Sequence, residues 1–206
     1  MAHIHNIPDF KNLKGCWAKS VTLGGNTYHT RASILWNNIK KRTGFVGNYQ
    51  ELNISYLGCK NLFEGYQEFT EWCQDQKGYN SKETNGRFWT LDKDIVGDSN
   101  YSPLSCVFIP HEINVITTNV EKKNVNPIGV TIDRGCIRAK EGTIDLGYHA
   151  SLEDAHRAWQ VSKLSKINFL IAKWEDFVDY RVVVHLNSYT KVLSEDIRNN
   201  RETLGL

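Results

Sequence analysis

The side chains able to do chemistry fall into three groups along the chain. A basic triplet, Lys40-Lys41-Arg42, sits at the end of a stretch with helical spacing, and a carboxylate–ammonium–carboxylate run, Asp92-Lys93-Asp94, is followed by His111 and Asn114. Arg134, Arg138 and Lys140 cluster around two glycine-containing turns. Residues 1–60 carry eight Lys/Arg against two acids, a balance of +6; residues 61–118 have a balance of −5 and residues 119–206 of +1. A basic amino-terminal third is what a phosphate-contacting surface needs, and an ordinary solvated helix end accounts for the same triplet. Lys93 is poorly suited to proton transfer at neutral pH. Its pKa would have to fall from about 10.4 to about 7, roughly 4 kcal/mol of differential interaction, whereas flanking carboxylates favour the ammonium.

These groups need elements to position them. Gly24-Gly25-Asn26 signals a turn, and Thr30 can cap a helix whose face is Ile34, Leu35 and Ile39 and whose last turn holds the basic triplet, where the macrodipole favours cations. Leu62, Tyr66, Phe69, Trp72 and Cys73 recur at helical spacing opposite Glu64, Glu68, Glu71 and Asp75, so the aromatic stripe predicts core. A strand is expected over residues 87–95, a loop through Tyr101-Ser102-Pro103, a short strand at 106–109, and a helix opened by Pro110. The local order is therefore strand, loop, strand, helix. The polar run ending at Pro127 reads as a linker. Beyond it, three strands (128–132, 137–140 and 143–148) alternate with Asp133-Arg134-Gly135 and Glu141-Gly142, turns of hairpin chemistry. Ser151 and Asp154 form a capping box for a helix bearing Leu152, Ala155, Ala158, Trp159 and Ile167. A last helix fits Trp174, Phe177, Val178, Val182, Leu186 and Tyr189, although Val182-Val183-Val184 also suits a strand.

With 206 residues, 40% apolar and 23% charged, the chain has the composition of a folded protein of one large or two small domains. No run of about 18 apolar residues is present, and the first residues lack the form of a signal peptide, so neither a membrane partner nor secretion is expected. The five cysteines are odd in number and contain no CxxC pair, which argues against a disulfide scaffold or a zinc finger and for a reducing cytoplasm.

Trp89-Thr90-Leu91-Asp92-Lys93-Asp94-Ile95, Asn100-Tyr101-Ser102-Pro103 and the run from Cys106 through Pro110 to Asn114 resemble the ββα-metal unit of phage HNH homing endonucleases. Trp36, the helix carrying Tyr66 and Trp72, and Gly78-Tyr79 extend the likeness over roughly residues 28–118. The resemblance implies a divalent ion, Mg2+ or Mn2+, held by Asp92 and by Asn114 on the helix. The family's general-base histidine is replaced here by Lys93, and its loop-propping asparagine by Ser105. On that alignment Lys93 contacts the phosphate and His111, one turn before Asn114, is the remaining candidate base.

A second resemblance follows the linker. Gly129-Val130-Thr131, Ile137-Arg138-Ala139-Lys140, Ile144-Asp145-Leu146-Gly147-Tyr148 and the run from Ser151 to Trp159 are similar to DNA-binding domains of the Apetala/ethylene-response-factor type, over about residues 127–168. In that family the sheet lies in the major groove. Period-two alternation independently turns Ile137 and Ala139 toward the helix and leaves Arg138 and Lys140 outside. Arg138 then suits a bidentate base contact and Lys140 a phosphate contact, joined by Arg134 in the turn. Asp133, Glu141 and Asp145 lower the net charge of that region.

The sequence thus leads to an α+β protein. An HNH-like ββα-metal domain with a basic amino-terminal segment (1–118) precedes a linker (119–127) and a three-stranded antiparallel sheet packed on a helix, with a C-terminal helix (128–206). The leading expectation is a homing-type endonuclease that binds double-stranded DNA in a bacterial host cytoplasm and hydrolyses phosphodiesters with a divalent metal. Lys40, Lys41, Arg42, Arg134, Arg138 and Lys140 would anchor the duplex. The alternative is a nuclease-dead DNA-binding regulator or blocker of the same descent, and a third reading is a protein partner bound through the acidic middle segment.

Overall fold

The structure, a computed structural model, describes residues 7–44, 56–97, 99–117 and 125–206. Its architecture is α+β, with five α-helices and three small antiparallel sheets among the described residues. The chain divides into two compact units, residues 1–109 and 110–206.

The first unit opens with a hairpin of β1 (Ser20–Leu23) and β2 (Asn26–His29). Gly24 and Gly25 both have positive φ, 57° and 78°, as a two-residue turn of this twist requires. Helix α1 (Arg31–Arg42) starts where expected, the Thr30 hydroxyl accepting the Ser33 N–H at 3.3 Å. Helix α2 (Tyr66–Asp75) begins one turn later than the apolar spacing suggests, leaving Leu62 exposed before it. Its aromatic stripe is core. Trp36 and Phe69 have ring centroids 5.4 Å apart, Phe63 and Phe69 5.0 Å, and Phe63 and Trp72 5.2 Å. Strands β3 (Thr90–Asp92) and β4 (Val107–Ile109) pair antiparallel with Leu91 opposite Phe108 and Asp92 opposite Val107. The strand expected over 87–95 is shorter, because the backbone turns at Lys93.

Helix α3 (His111–Ile116) follows Pro110 and completes the strand, loop, strand, helix order, but it belongs to the second unit. Of the linker expected at 119–127, only residues 125–127 lie among the described residues. Strands β5 (Val130–Asp133), β6 (Cys136–Glu141) and β7 (Ile144–His149) form one antiparallel sheet in sequence order. Helix α4 (Leu152–Trp174) crosses it, burying Ala155 against Val130 and Ala139, with Ile137 and Leu146 beside them. The Ser151 hydroxyl caps α4 by accepting the Asp154 N–H at 3.0 Å.

The last helix departs from expectation. Trp174 ends α4, Phe177 lies exposed in the connection, and α5 (Tyr180–Arg198) starts after the Asp179 cap with the valine run inside it. Val182, Leu186, Tyr189 and Leu193 form the buried face of α5, and Ile167 and Leu170 that of α4. The helical period of those apolar residues outweighs the strand preference of three valines.

One turn of the second unit depends on glycine. Gly129 has φ +78°, and a Cβ placed on it would sit 2.2 Å from the Trp159 ring. Trp159 is buried and cannot move aside cheaply. Gly129→Ala is therefore expected to destabilise the chain by about 2–4 kcal/mol, read as a lowered midpoint in urea unfolding.

Candidate nucleic-acid interface and the Asp92 loop

In the three-stranded sheet, residues paired directly across strands share a face. Thr131 pairs with Arg138 and Arg138 with Tyr148, so one row crosses the outer face, while Lys140 pairs with Asp145 beside it. Opposite, Val130, Ile137, Ala139 and Leu146 face the helix. Arg138 and Lys140 thus occupy the outer side, as alternation predicted. Tyr148 is 65% exposed with its ring 5.6 Å from the Arg138 guanidinium, and Lys140 is exposed. Arg134, at φ 50°, is exposed in the turn before β6.

Arg138 donates from Nε to Asp145 Oδ1 at 2.9 Å and from Nη2 to Oδ2, a two-point pair that holds the Asp145 carboxyl down at about 2. Such a pair uses two of the five guanidinium N–H groups and fixes the plane of the others. The face therefore presents an oriented arginine, an exposed lysine and an exposed tyrosine. That combination suits a phosphate backbone and a base edge.

Sequence reasoning missed Tyr148 and misplaced Glu141. Strict alternation puts residues 145 and 148 on opposite faces, but two residues of β7, Leu146 and Gly147, stand opposite Ala139 alone. This bulge, with Gly147 at φ 89°, resets the alternation and turns Asp145 and Tyr148 to one side. Glu141 does not subtract charge from the outer face. It points inward with Ile137 and Ala139, 3% exposed, as alternation within β6 dictates.

In the first unit, Asp92 Oδ1 accepts the N–H of Asp94 at 2.9 Å and of Ile95 at 2.8 Å, which turns the chain out of β3. Burial pushes its carboxyl above the usual carboxylate range. Lys93 points inward: its side chain is 5% exposed, its ammonium is ion-paired with Asp94, and the Tyr101 ring lies 5.8 Å away. The expected contact from Lys93 to a phosphate does not fit this burial. Ser105, at the position where the resemblance expects a loop-propping asparagine, ties the loop to itself. Its hydroxyl donates to the Asn100 carbonyl at 2.6 Å and accepts the Ser102 N–H at 3.0 Å, closing the loop between β3 and β4.

His111 is exposed at the first position of α3, and Asn114 is half-buried on the same helix. Arg42 turns toward the first unit's interior, donating to the Tyr101 hydroxyl at 2.9 Å, while Lys41 is exposed at the helix end and Lys40 half-buried. The acidic face of α2 is partly engaged within the chain, since Glu71 accepts from Trp17 Nε1 and pairs with Lys11 at 3.5 Å.

Of the two side chains that the HNH resemblance implies as metal ligands, Asp92 belongs to the first unit and Asn114 to the second. Asp92 offers a half-buried carboxylate whose Oδ1 already accepts two amides, and the position where that family keeps its base carries a buried, paired ammonium. Among the described residues no three His, Cys, Asp or Glu side chains gather as a metal site, no two cysteines form a disulfide, and no helix is long and apolar enough to cross a membrane. No family model, curated protein or solved structure matches the chain.

Proposed function

We propose that this chain is a duplex-DNA-binding protein that docks the outer face of its three-stranded sheet on DNA, with no hydrolytic activity of its own. The observation that carries the reading is the row Thr131, Arg138 and Tyr148 with Lys140 beside it, on the outer side of a sheet whose opposite face is sealed by α4. Arg138 and Lys140 supply phosphate and base-edge contacts, and Arg134 extends the positive edge into the turn. The burial of Lys93 in the position where the nuclease family keeps its base favours a regulator or blocker over an enzyme.

A second reading, a metal-dependent endonuclease, is favoured by one feature. Asp92 Oδ2 has no hydrogen-bond donor among the described residues, on a strand, loop, strand, helix order that matches the nuclease resemblance.

One assay separates the two. The chain and Asp92→Ala are incubated with supercoiled DNA in Mg2+ or Mn2+, and gel shift and nicking are measured on the same samples. Binding by both proteins with no nicking is the expected result. Nicking that disappears in Asp92→Ala while binding persists establishes the endonuclease instead. Absence of any shift at low salt removes DNA from both readings.

A further inference from the structure

A cavity of about 510 Å³ in the first unit lies between α1 and β3 with the segment before it. It is within the size range of small-ligand pockets. Among the described residues its charged lining is cationic, comprising Arg31, Arg42 and Arg87, with Asn38 at the rim and Ile34 and Leu91 among its apolar walls, and no carboxylate lines it.

The three arginines are held differently. Arg31 is 5% exposed, its Nη2 donating to the Trp89 carbonyl at 2.9 Å and its guanidinium 4.1 Å from the Phe88 ring centroid and 4.6 Å from that of Tyr79. Its Nη1 has no hydrogen-bond partner, and no carboxylate forms an ion pair with it among the described residues. A buried guanidinium with an unpartnered N–H, and with the Asp9 carboxylate acting on it only from beyond ion-pair distance, is costly, so an anion at this cavity would offset a penalty already built into the fold. Burial lowers Arg31 only to about 10, which leaves it charged at neutral pH. Arg42 is fixed by the Tyr101 hydroxyl, and Arg87 stands exposed at the mouth.

We infer that this cavity binds the phosphate of a nucleoside 5′-phosphate unit. Arg87 and Arg42 meet the phosphate over the field of Arg31, Asn38 hydrogen-bonds the sugar or base, and the apolar walls take the base. Guanidinium groups in a low-dielectric recess suit a phosphate because the charge-assisted bonds are strong and geometrically matched. Such a unit comes either as a free nucleotide or as a nucleotide of a single strand. The inference concerns the first unit alone and does not rest on DNA binding by the sheet.

The test titrates the full chain with thymidine 5′-monophosphate, thymidine and inorganic phosphate, followed by calorimetry and by 31P line broadening. The monophosphate is expected to bind at sub-millimolar concentration and thymidine far more weakly. Arg87→Gln, a surface change that leaves folding intact, is expected to weaken the monophosphate about tenfold, and Asn38→Ala about threefold. Lys140→Gln, on the other unit, is expected to leave it unchanged. No binding at millimolar concentration, equal binding of thymidine, or full binding by Arg87→Gln overturns the proposal. Displacement of the bound monophosphate by an oligothymidylate assigns the pocket to a nucleotide within a strand; retention assigns it to a free nucleotide.

Discussion

Duplex DNA binding is expected to fall about 100-fold when Arg138 and Lys140 are both replaced by glutamine, measured by gel shift or fluorescence anisotropy at fixed salt. Loss of an arginine contact to a base edge typically costs about 1–3 kcal/mol and relaxes sequence preference, whereas loss of a lysine contact to a phosphate weakens all sequences alike and reduces the salt slope by about one. The single variants therefore have different signatures: Lys140→Gln flattens the dependence of affinity on salt, and Arg138→Gln narrows the gap between preferred and random sequence. The pairing of Arg138 with Asp145 sharpens the case. The carboxylate, held at about 2, stays ionised across the neutral range and keeps the guanidinium in one plane. If both single variants and the double variant bind DNA as the parent does, the outer face of the sheet is not the docking surface.

Glu141→Leu is expected to lower the unfolding free energy by about 3–5 kcal/mol, read from urea unfolding at neutral pH. Glu141 and Lys163 are both buried, with side chains 4% and 5% exposed and charges 3.7 Å apart. Lys166 approaches the other carboxylate oxygen at 3.1 Å, and the Lys163 ammonium also donates to the Ile116 carbonyl at 2.5 Å, tying the end of α3 to α4. Removing the carboxylate strands an ammonium inside the unit, which is the costly step; the intact pair itself is worth little. The double variant Glu141→Leu, Lys163→Met is accordingly expected to recover most of the loss, and a strictly additive cycle would show that the two groups are not coupled.

The same lysine gives a pH signature. Burial depresses Lys163 from its ordinary value to about 8. Below that pH both folded and unfolded chains carry its proton, and the full cost of the buried ammonium is present. Between about pH 8 and the ordinary lysine pKa near 10.4 the unfolded chain binds more protons than the folded one, so stability from this group rises with pH. Tyrosines also titrate there, so the comparison is made against Lys163→Met, in which this rise is expected to be absent.

The sequence by itself determined the α+β class, the Thr30 and Ser151 helix caps, the aromatic core face of α2, the three-stranded sheet with Arg138 and Lys140 outward, and the strand, loop, strand, helix order. These are local properties: caps, turns and the periods of 3.6 and 2 act within a few residues. Only the tertiary structure decided the rest. Lys93 stands between two carboxylates, a pattern of charges that points to solvent, yet it is buried because Asp94 and the Tyr101 ring accommodate its ammonium. The grouping of α3 with the second unit comes from contacts 47 to 62 residues away along the chain, from Lys163 to Ile116 and from Lys173 and Trp174 to Glu112. The placement of Tyr148 beside Arg138 follows from a single bulge in β7, and one inserted residue reverses every face assignment beyond it. Neither a long-range pairing nor a one-residue register shift leaves a periodic trace, which is why the place of Tyr148 in the candidate interface and the burial of Lys93 became legible only once the chain was folded.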